Sequence, residues 1–395
     1  MKWVTAVRGR SGPRFGVEEE FLVVDRASGQ VVPHAATVLE RAGGRLGPRL
    51  GGEITKLQLE TRTEPCQSTE QLHAQLVEAR AVLAGSAGSA GLGIVASGSP
   101  VLGDVVPPPI TEGPRQDRGT ATFRGLHDEL AVCALHVHVE VPERDRAVLA
   151  SNHLRRHLPV LIALAANSPY WAERDTGYAS WRTVTWNRWP VAGPPPRFAS
   201  AAHYDELVAT LIDAGALVDA GTVFWDVRPS AHQPTLEVRV ADVPITAEDS
   251  AALAALIRAL VVQALDAVDR GGADPEIPAE LLRLAYWRAA RDGLEGHGVD
   301  VLTGRPLPAA AQAQDLVRAA GPVLEAHGDL GRVTDWLRRL ATEGTGAVRQ
   351  RRIAARHGGA NQLAAVVDYL LAETAPADGR FAQGTPTEAM DPVRR

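Results

Sequence analysis

Lysine is nearly absent from this 395-residue chain: only Lys2 and Lys56 occur, so 39 of its 41 basic residues are arginine. Schiff-base catalysis or a phosphate-cradling P-loop lysine could therefore use only Lys56, because Lys2 sits at the extreme terminus. Cysteine is equally scarce. Cys66 and Cys133 are too few for a disulfide framework or a cysteine-based zinc site. There is no net positive charge either: the balance is −6, against the basic face expected of a nucleic-acid binder. No secretory signal is visible at the start, and the longest apolar stretch, Ala251 to Val268, is broken by Arg258, Gln263 and Asp266. That stretch reads as a buried helix and not a membrane span. A soluble cytoplasmic protein is expected.

What is present is ordinary globular chemistry, 45% hydrophobic and 22% charged. Strand patterns concentrate in the first 240 residues: 15–24, 52–63, 93–97, 132–141, 225–228 and 235–240. Helical periodicity fills most of the last 150 residues. Ser68, with Gln71 three residues on, is a helix N-cap signature. Residues 101–119 read as a Pro-rich loop. This pattern predicts an α+β fold, a largely antiparallel β-sheet flanked by helices with a mostly helical C-terminal third. No linker divides the chain, so residues 1–374 are expected to form one domain and 375–395 a flexible tail.

A strand sets residues i and i+2 on one face. Glu18 and Glu20 therefore project together, with Glu19 opposite. His136, His138 and Glu140 share a face while valines take the other. Glu237 and Arg239 share the face opposite Leu236, Val238 and Val240. Glu53 and Glu60 differ in parity and can reach one site only across a bulge or bend. Taken singly, each is compatible with a solvated face or an in-sheet ion pair. Jointly, they suggest a hard-cation site in which carboxylates and an imidazole hold Mg²⁺, or alternatively Mn²⁺, with nucleotide phosphates completing the shell. Zinc would prefer a histidine-rich tetrahedron, towards which only His136 and His138 lean. Neither GxxxxGK[ST] nor a strand–GxGxxG–helix unit is present. The Trp-rich stretch 167–197 fits a substrate lid, with Arg182 and Arg188 as candidate anion clamps.

These segments occur in a recognisable order: GVEEEFLVVD at 16–25, QLETRT at 58–63, HVHV at 136–139, ANSPYW, RDTGYASWRT and RWP between 166 and 190, WDVRPS at 225–230 and PTLEVRVADV at 234–243. With YWRAARDGLEG at 286–296 and GTGAVRQRR at 344–352, the chain from about residue 12 to 373 resembles the carboxylate–amine ligases known as type 2 glutamate–cysteine ligases. The resemblance implies a glutamine-synthetase-like catalytic fold. It also implies ATP-dependent amide formation through an acyl phosphate, glutamate plus cysteine being the default pair. Glu18, Glu20, Glu53, Glu60, His136 and Glu237 would form the metal and phosphate shell. Arg239 would meet the γ-phosphate or acyl phosphate, Arg182 and Arg228 the substrate or nucleotide, and His138 would support the nucleotide side or orient its neighbour. The expected partners are small-molecule amino acid and amine substrates, without nucleic acid or membrane, and a homodimer is compatible with this reading. Three departures bear on the substrates: Cys133-Ala134-Leu135 before the His-x-His, a shorter stretch at 122–132, and His232-Gln233 where the family has Arg-Tyr. The rival functions are a zinc hydrolase using the His-x-His strand and a non-catalytic binder that keeps the fold.

Overall fold

The computed structural model describes residues 12–103 and 105–376. Its centre is a seven-stranded sheet built from β1 (Phe15–Asp25), β2 (Leu50–Gly52), β3 (Gln58–Arg62), β4 (Leu92–Val95), β5 (Ala134–Glu140), β6 (Val227–Pro229) and β7 (Thr235–Asp242). The order is β6-β7-β5-β1-β3-β2, with β4 paired to the far end of β1. Every pairing is antiparallel. Register aligns the polar positions: Glu18 faces Arg62 on one side and His136 on the other, Glu20 faces Glu60, and Glu237 lies between His138 and Arg228.

Around the sheet run α1 (Ala35–Leu46), α2 (Thr69–Gly88), α3 (Pro114–Phe123), α4 (Arg144–Leu154), α5 (Leu158–Ala165), α6 (Trp181–Trp186), α7 (Ala201–Asp213) and α8 (Ala247–Asp269). The C-terminal third supplies α9 (Ala279–Asp292), α10 (Ala309–Ala326), α11 (Leu330–Glu343), α12 (Gly346–His357) and α13 (Gln362–Thr374). The α+β expectation is met. The tail expected over 375–395 lies, from residue 377 on, outside the described residues.

The sheet's second face is apolar because the alternate residues are Phe15, Val17, Leu135, Val137, Val139, Leu236 and Val238. They pack with α2, α4, α5 and α8 into one core. Each fully buried Val or Leu there stabilises by roughly 1.5–3 kcal/mol. Helix α8 is long and apolar enough to cross a membrane by length and composition, but it is 72% buried inside this core. Thr246 caps it by accepting from the Asp249 N–H at 3.1 Å. Glu19 points to this apolar side, fully buried. Arg80 of α2 neutralises it through a two-pronged contact at 2.5 and 3.0 Å. Ser250 donates to the same carboxylate at 2.6 Å, so the buried charge is fully hydrogen-bonded.

Two local readings differ from the sequence patterns. The strand expected over 52–63 is two strands, β2 and β3, separated by a turn at 54–57. The loop expected over 101–119 gives way at Pro114 to α3; Pro fits a helix's first turn, and this helix has almost no apolar stripe to announce it. The Ser68 cap forms as expected, accepting from the Gln71 N–H at 3.3 Å.

Candidate active site

The polar face of the sheet floors a cavity of about 500 Å³. Glu18 and Glu20 of β1, Glu60 of β3, His136 and His138 of β5, Glu237 and Arg239 of β7, and Arg228 of β6 all line it. Glu53 joins them from the turn after β2, so the bend between β2 and β3 resolves its parity mismatch with Glu60. The strap at 109–111 holds this turn in place: the Thr111 hydroxyl donates to the Glu53 carbonyl at 2.7 Å, and the Thr111 N–H to that of Ile54 at 2.8 Å. Arg182 enters from α6. Of the site residues expected from the sequence, all but Arg188 thus border one cavity.

The carboxylates fall into two metal-sized groups sharing Glu60: Glu18 with Glu60 and His136, and Glu20 with Glu53 and Glu60. Within each group the ligand atoms lie within 4.8 Å of one another. Histidines flank the Glu18 end. His136 Nδ1 is 3.3 Å and His138 Nε2 3.6 Å from Glu18 Oε2. Burial alone would raise the Glu18 pKa, but the imidazoles, His138 foremost, hold it well below the ordinary range. Glu20 goes the other way. Burial and the nearby Glu53 charge push it to about 8, against the opposing Ala134 N–H donated at 2.7 Å. Burial and the charges of Glu18 and Glu53 likewise raise Glu60 well above its usual value, although Arg62 pairs with it. Burial lowers His136 to about 4, and its Nε2 is buried with no hydrogen-bond partner. A buried set of mutually repelling oxygens beside an unpartnered imidazole nitrogen fits a hard divalent cation, which would take the place of the protons.

The other end is cationic. Arg228 makes a two-pronged contact with Glu237, at 3.0 and 3.4 Å, and its remaining donors reach the carbonyls of Gly221 and Val223. Arg239 reaches Glu237 Oε1 at 3.3 Å. Burial disfavours the Glu237 charge, but Arg228 and Arg239 outweigh it and lower its pKa to about 2. Glu237 therefore sits among guanidinium groups and outside both oxygen-rich groups. Arg182 donates to the Arg239 and Val240 carbonyls at 2.9 and 3.2 Å, beside a bulge in the β7–β5 register. Asp242, itself held by Ser168 and Ser180 at 2.7 and 2.8 Å, lies 3.8 Å from Arg182. His138 Nδ1 is fixed by Thr235 at 2.9 Å.

The aromatic stretch divides in two. Tyr170 and Trp171 pack into the core, while Trp186 and Trp189 join Phe123 and Phe224 in a cluster that borders the cavity. The Arg239 guanidinium lies 5.5 Å from the Trp186 ring centre and 5.7 Å from that of Phe224. Arg188 is no clamp: it is 41% exposed, pairs with Glu129 at 2.5 Å, and does not line the cavity. Lys56 is exposed and paired with Glu112 at 2.8 Å. Sequence reasoning passed over Arg62, although it shares strand parity with Glu60. It also passed over Phe123 and Phe224, which carry no polar signal.

The chain's family and relatives make it an ATP-dependent ligase. The chain belongs to glutamate–cysteine ligase family 2, whose family model matches residues 14–368. A protein of Saccharopolyspora erythraea named "Putative glutamate–cysteine ligase 2-2" is 46% identical over 371 residues, covering 93% of this chain and 94% of its own. One of the same name from Mycobacterium sp. strain KMS is 44% identical over 369 residues, covering 92% and 98%. Among solved structures, the glutamate–cysteine ligase of Francisella tularensis in complex with AMP superimposes with a TM-score of 0.69. It covers 91% of this chain and 87% of that one at 14% identity. A bifunctional glutathione synthetase from Pasteurella multocida gives 0.67 at 17% identity, covering 92% of this chain and 53% of its own. At those identities the likeness is one of fold.

Proposed function

We propose that residues 1–374 form a cytoplasmic, Mg²⁺-dependent carboxylate–amine ligase that makes an amide through an acyl phosphate, with glutamate and cysteine as the starting substrate pair. The observation that carries this reading is the polarity of a single cavity, with two oxygen-rich groups at one end and three buried arginines at the other. An ionised carboxylate attacking a polyanionic triphosphate must overcome like-charge repulsion, which is the problem such a site solves. Glu18, Glu20, Glu53, Glu60 and His136 would hold Mg²⁺, which when bound offsets the phosphate charge and orients the transferring group.

Arg239 receives the γ-phosphoryl oxygens. Arg228 supports the nucleotide, and Arg182 the substrate at the reacting end. A substrate carboxylate oxygen bonds to the γ-phosphorus as ADP leaves. The amine nitrogen then bonds to the acyl carbon, inorganic phosphate departs and the amine gives up a proton. Phosphate arriving at Arg228 and Arg239 competes with Glu237 for their donors, and so frees Glu237 oxygens for a metal ion. His138, tethered to Thr235, is biased towards its charged form beside Glu18 and Glu237; burial disfavours that charge, but the Glu18 carboxylate outweighs it and raises the pKa.

The test is ADP release from purified protein with ATP, Mg²⁺, a carboxylate and an amine. It is expected only when all four are present, and Glu237→Gln is expected to lower kcat by roughly a hundredfold, the worth of one electrostatic stabiliser. Turnover that ignores the amine, or that survives Glu237→Gln unchanged, would defeat these assignments.

A further inference from the structure

Asn167, Asp242 and Gln350 stand in the segments ANSPYW, PTLEVRVADV and GTGAVRQRR, yet none of the three lines the cavity. Each is no more than 2% exposed. Together they form one buried polar network. Asp242 Oδ2 accepts from the Asn167 N–H at 2.8 Å and the Ser168 hydroxyl at 2.7 Å, and Oδ1 accepts from the Ser180 hydroxyl at 2.8 Å. Asn167 is braced from behind. Its side-chain amide donates to the Ala96 and Val243 carbonyls at 3.0 and 2.8 Å, and its Oδ1 accepts from Gln350 of α12 at 2.7 Å. Backbone closes in on both residues: a Cβ at Gly98 would come within 2.7 Å of Asp242 Cγ, and one at Gly346 would overlap the Asn167 side chain.

This network converges on the first turn of α6. Ser168 Oγ accepts from the Arg182 N–H at 3.0 Å, Ser180 caps the helix by accepting from the Thr183 N–H at 3.3 Å, and the Arg182 guanidinium lies 3.8 Å from Asp242 Oδ1. So held, Arg182 donates to the Arg239 and Val240 carbonyls at the bulge. There β7 takes three steps, Val238 to Ala241, where β5 takes two, Val137 to Leu135. Val240 and Ala241 consequently both pack into the apolar core, and Arg239 is turned to the cavity.

We infer that Asp242 is a positioning residue for phosphoryl transfer: it fixes Arg182, and Arg182 fixes the bulge that aims Arg239 into the cavity. This rests on the ligase reading above and adds to it a residue outside the cavity. A bulge leaves ladder carbonyls in need of donors from elsewhere, and a guanidinium supplies two in one rigid plane. A long arginine stem free to rotate would supply them only part of the time; Asp242 and the two serines remove that freedom. The aim of Arg239 matters because a misplacement of about 1 Å in a transition-state contact can cost roughly a hundredfold in rate. Asn167 and Gln350 act one step further back, by holding Asp242. No described residue after Arg239 lines the cavity, so through Gln350 the helical C-terminal third serves the reaction without entering the site.

Asp242→Asn isolates this role. Asparagine can keep its oxygen where Oδ2 accepts from Asn167 and Ser168. Its amide then meets the Ser180 hydroxyl, which can turn to accept, and the Arg182 guanidinium, which cannot. The full-length variant is assayed for ADP release with ATP, Mg²⁺ and the parent's working pair of carboxylate and amine. It should lose roughly ten- to a hundredfold in kcat, with the KM for ATP within about twofold of the parent. Its melting temperature should stay within about 3 °C. Because Asp242 acts through Arg182, the two effects must overlap: in an Arg182→Gln background, Asp242→Asn should change kcat by less than about twofold. Parent-like kcat for Asp242→Asn, a loss that vanishes well below the variant's melting temperature, or additive losses in the double variant would overturn the inference and leave the ligase reading standing. Should Asp242→Asn fail to fold, Ser180→Ala removes the hydroxyl that links Asp242 to α6 and is expected to show the same split between kcat and KM; parent-like kcat there overturns the inference equally. No ADP release by the parent with any carboxylate and amine overturns the ligase reading and this inference together.

Discussion

Mg²⁺ should stabilise this protein strongly at pH 8 and hardly at all at pH 6. The reason lies in Glu20, whose pKa is pushed by burial and by Glu53 from the ordinary 4.5 to about 8. Its folded value lies above the unfolded one. The protonated form therefore contributes stability that is complete below about pH 4.5 and is lost as pH rises through about 8, at most ~5 kcal/mol in the cation-free protein. A dication that needs this carboxylate ionised must displace the proton, so its apparent affinity falls about tenfold for each pH unit below 8. At a Mg²⁺ concentration near 100 times Kd at pH 8, the stabilisation is ~2.7 kcal/mol; at pH 6 the same concentration is close to Kd and gives ~0.4 kcal/mol. For a chain of 395 residues that corresponds to melting shifts of about 3 °C and about 0.5 °C. Glu60, raised in the same sense, steepens the dependence towards two protons. Thermal melts with and without Mg²⁺ across this pH range, and calorimetry in two buffers of different ionisation enthalpy, measure the shift and the protons released. Glu20→Gln should flatten the pH dependence. Equal shifts at pH 6 and pH 8, or no proton release at pH 7, would refute the assignment of these carboxylates to a shared cation.

Three further outcomes follow from the same structure. Arg80→Met strands the buried Glu19 charge and should cost about 3–5 kcal/mol in urea unfolding; the double variant with Glu19→Met should recover most of it, and a loss below about 1 kcal/mol would show that the pair is not structurally important. Lys56→Met, which removes only an exposed pair with Glu112, should leave ADP release within about twofold of the parent, and loss of turnover would restore the chain's one internal lysine to the mechanism. Elemental analysis of the purified protein should find no stoichiometric zinc, and nucleotide should bind in its absence; tightly held zinc without nucleotide affinity would favour a hydrolase built on His136 and His138.

Much of the site was legible because strand period two is a local property. Glu18 with Glu20, His136 with His138, and Glu237 opposite Val238 follow from parity alone, and the sheet then sets these strands side by side. What parity could not supply is register. Only the pairing of β6, β7 and β5 shows that Glu237 lies between Arg228 and His138, matched by arginines and apart from the other carboxylates. The turn that brings Glu53 to Glu60 depends on the strap at 109–111, more than fifty residues away in sequence. Helix α1 went unread because Gly43 and Gly44 interrupt its propensity, although Val38, Ala42 and Leu46 bury one face. Arg182 and Arg188 look alike in sequence; only packing separates a buried guanidinium beside Asp242 from an exposed one beside Glu129. Of the aromatic border, Trp186 and Trp189 stood in the segment suspected of touching substrate, but Phe123 and Phe224 join them only through the tertiary fold.

The central claim is that a substrate carboxylate is phosphorylated before the amine attacks, and oxygen labelling tests it most directly. When the carboxylate substrate carries ¹⁸O in both oxygens, an acyl-phosphate route leaves one labelled oxygen in the amide and delivers the other to inorganic phosphate. Mass spectrometry of the released phosphate should therefore show one ¹⁸O per amide formed. Unlabelled phosphate alongside amide product would contradict the account.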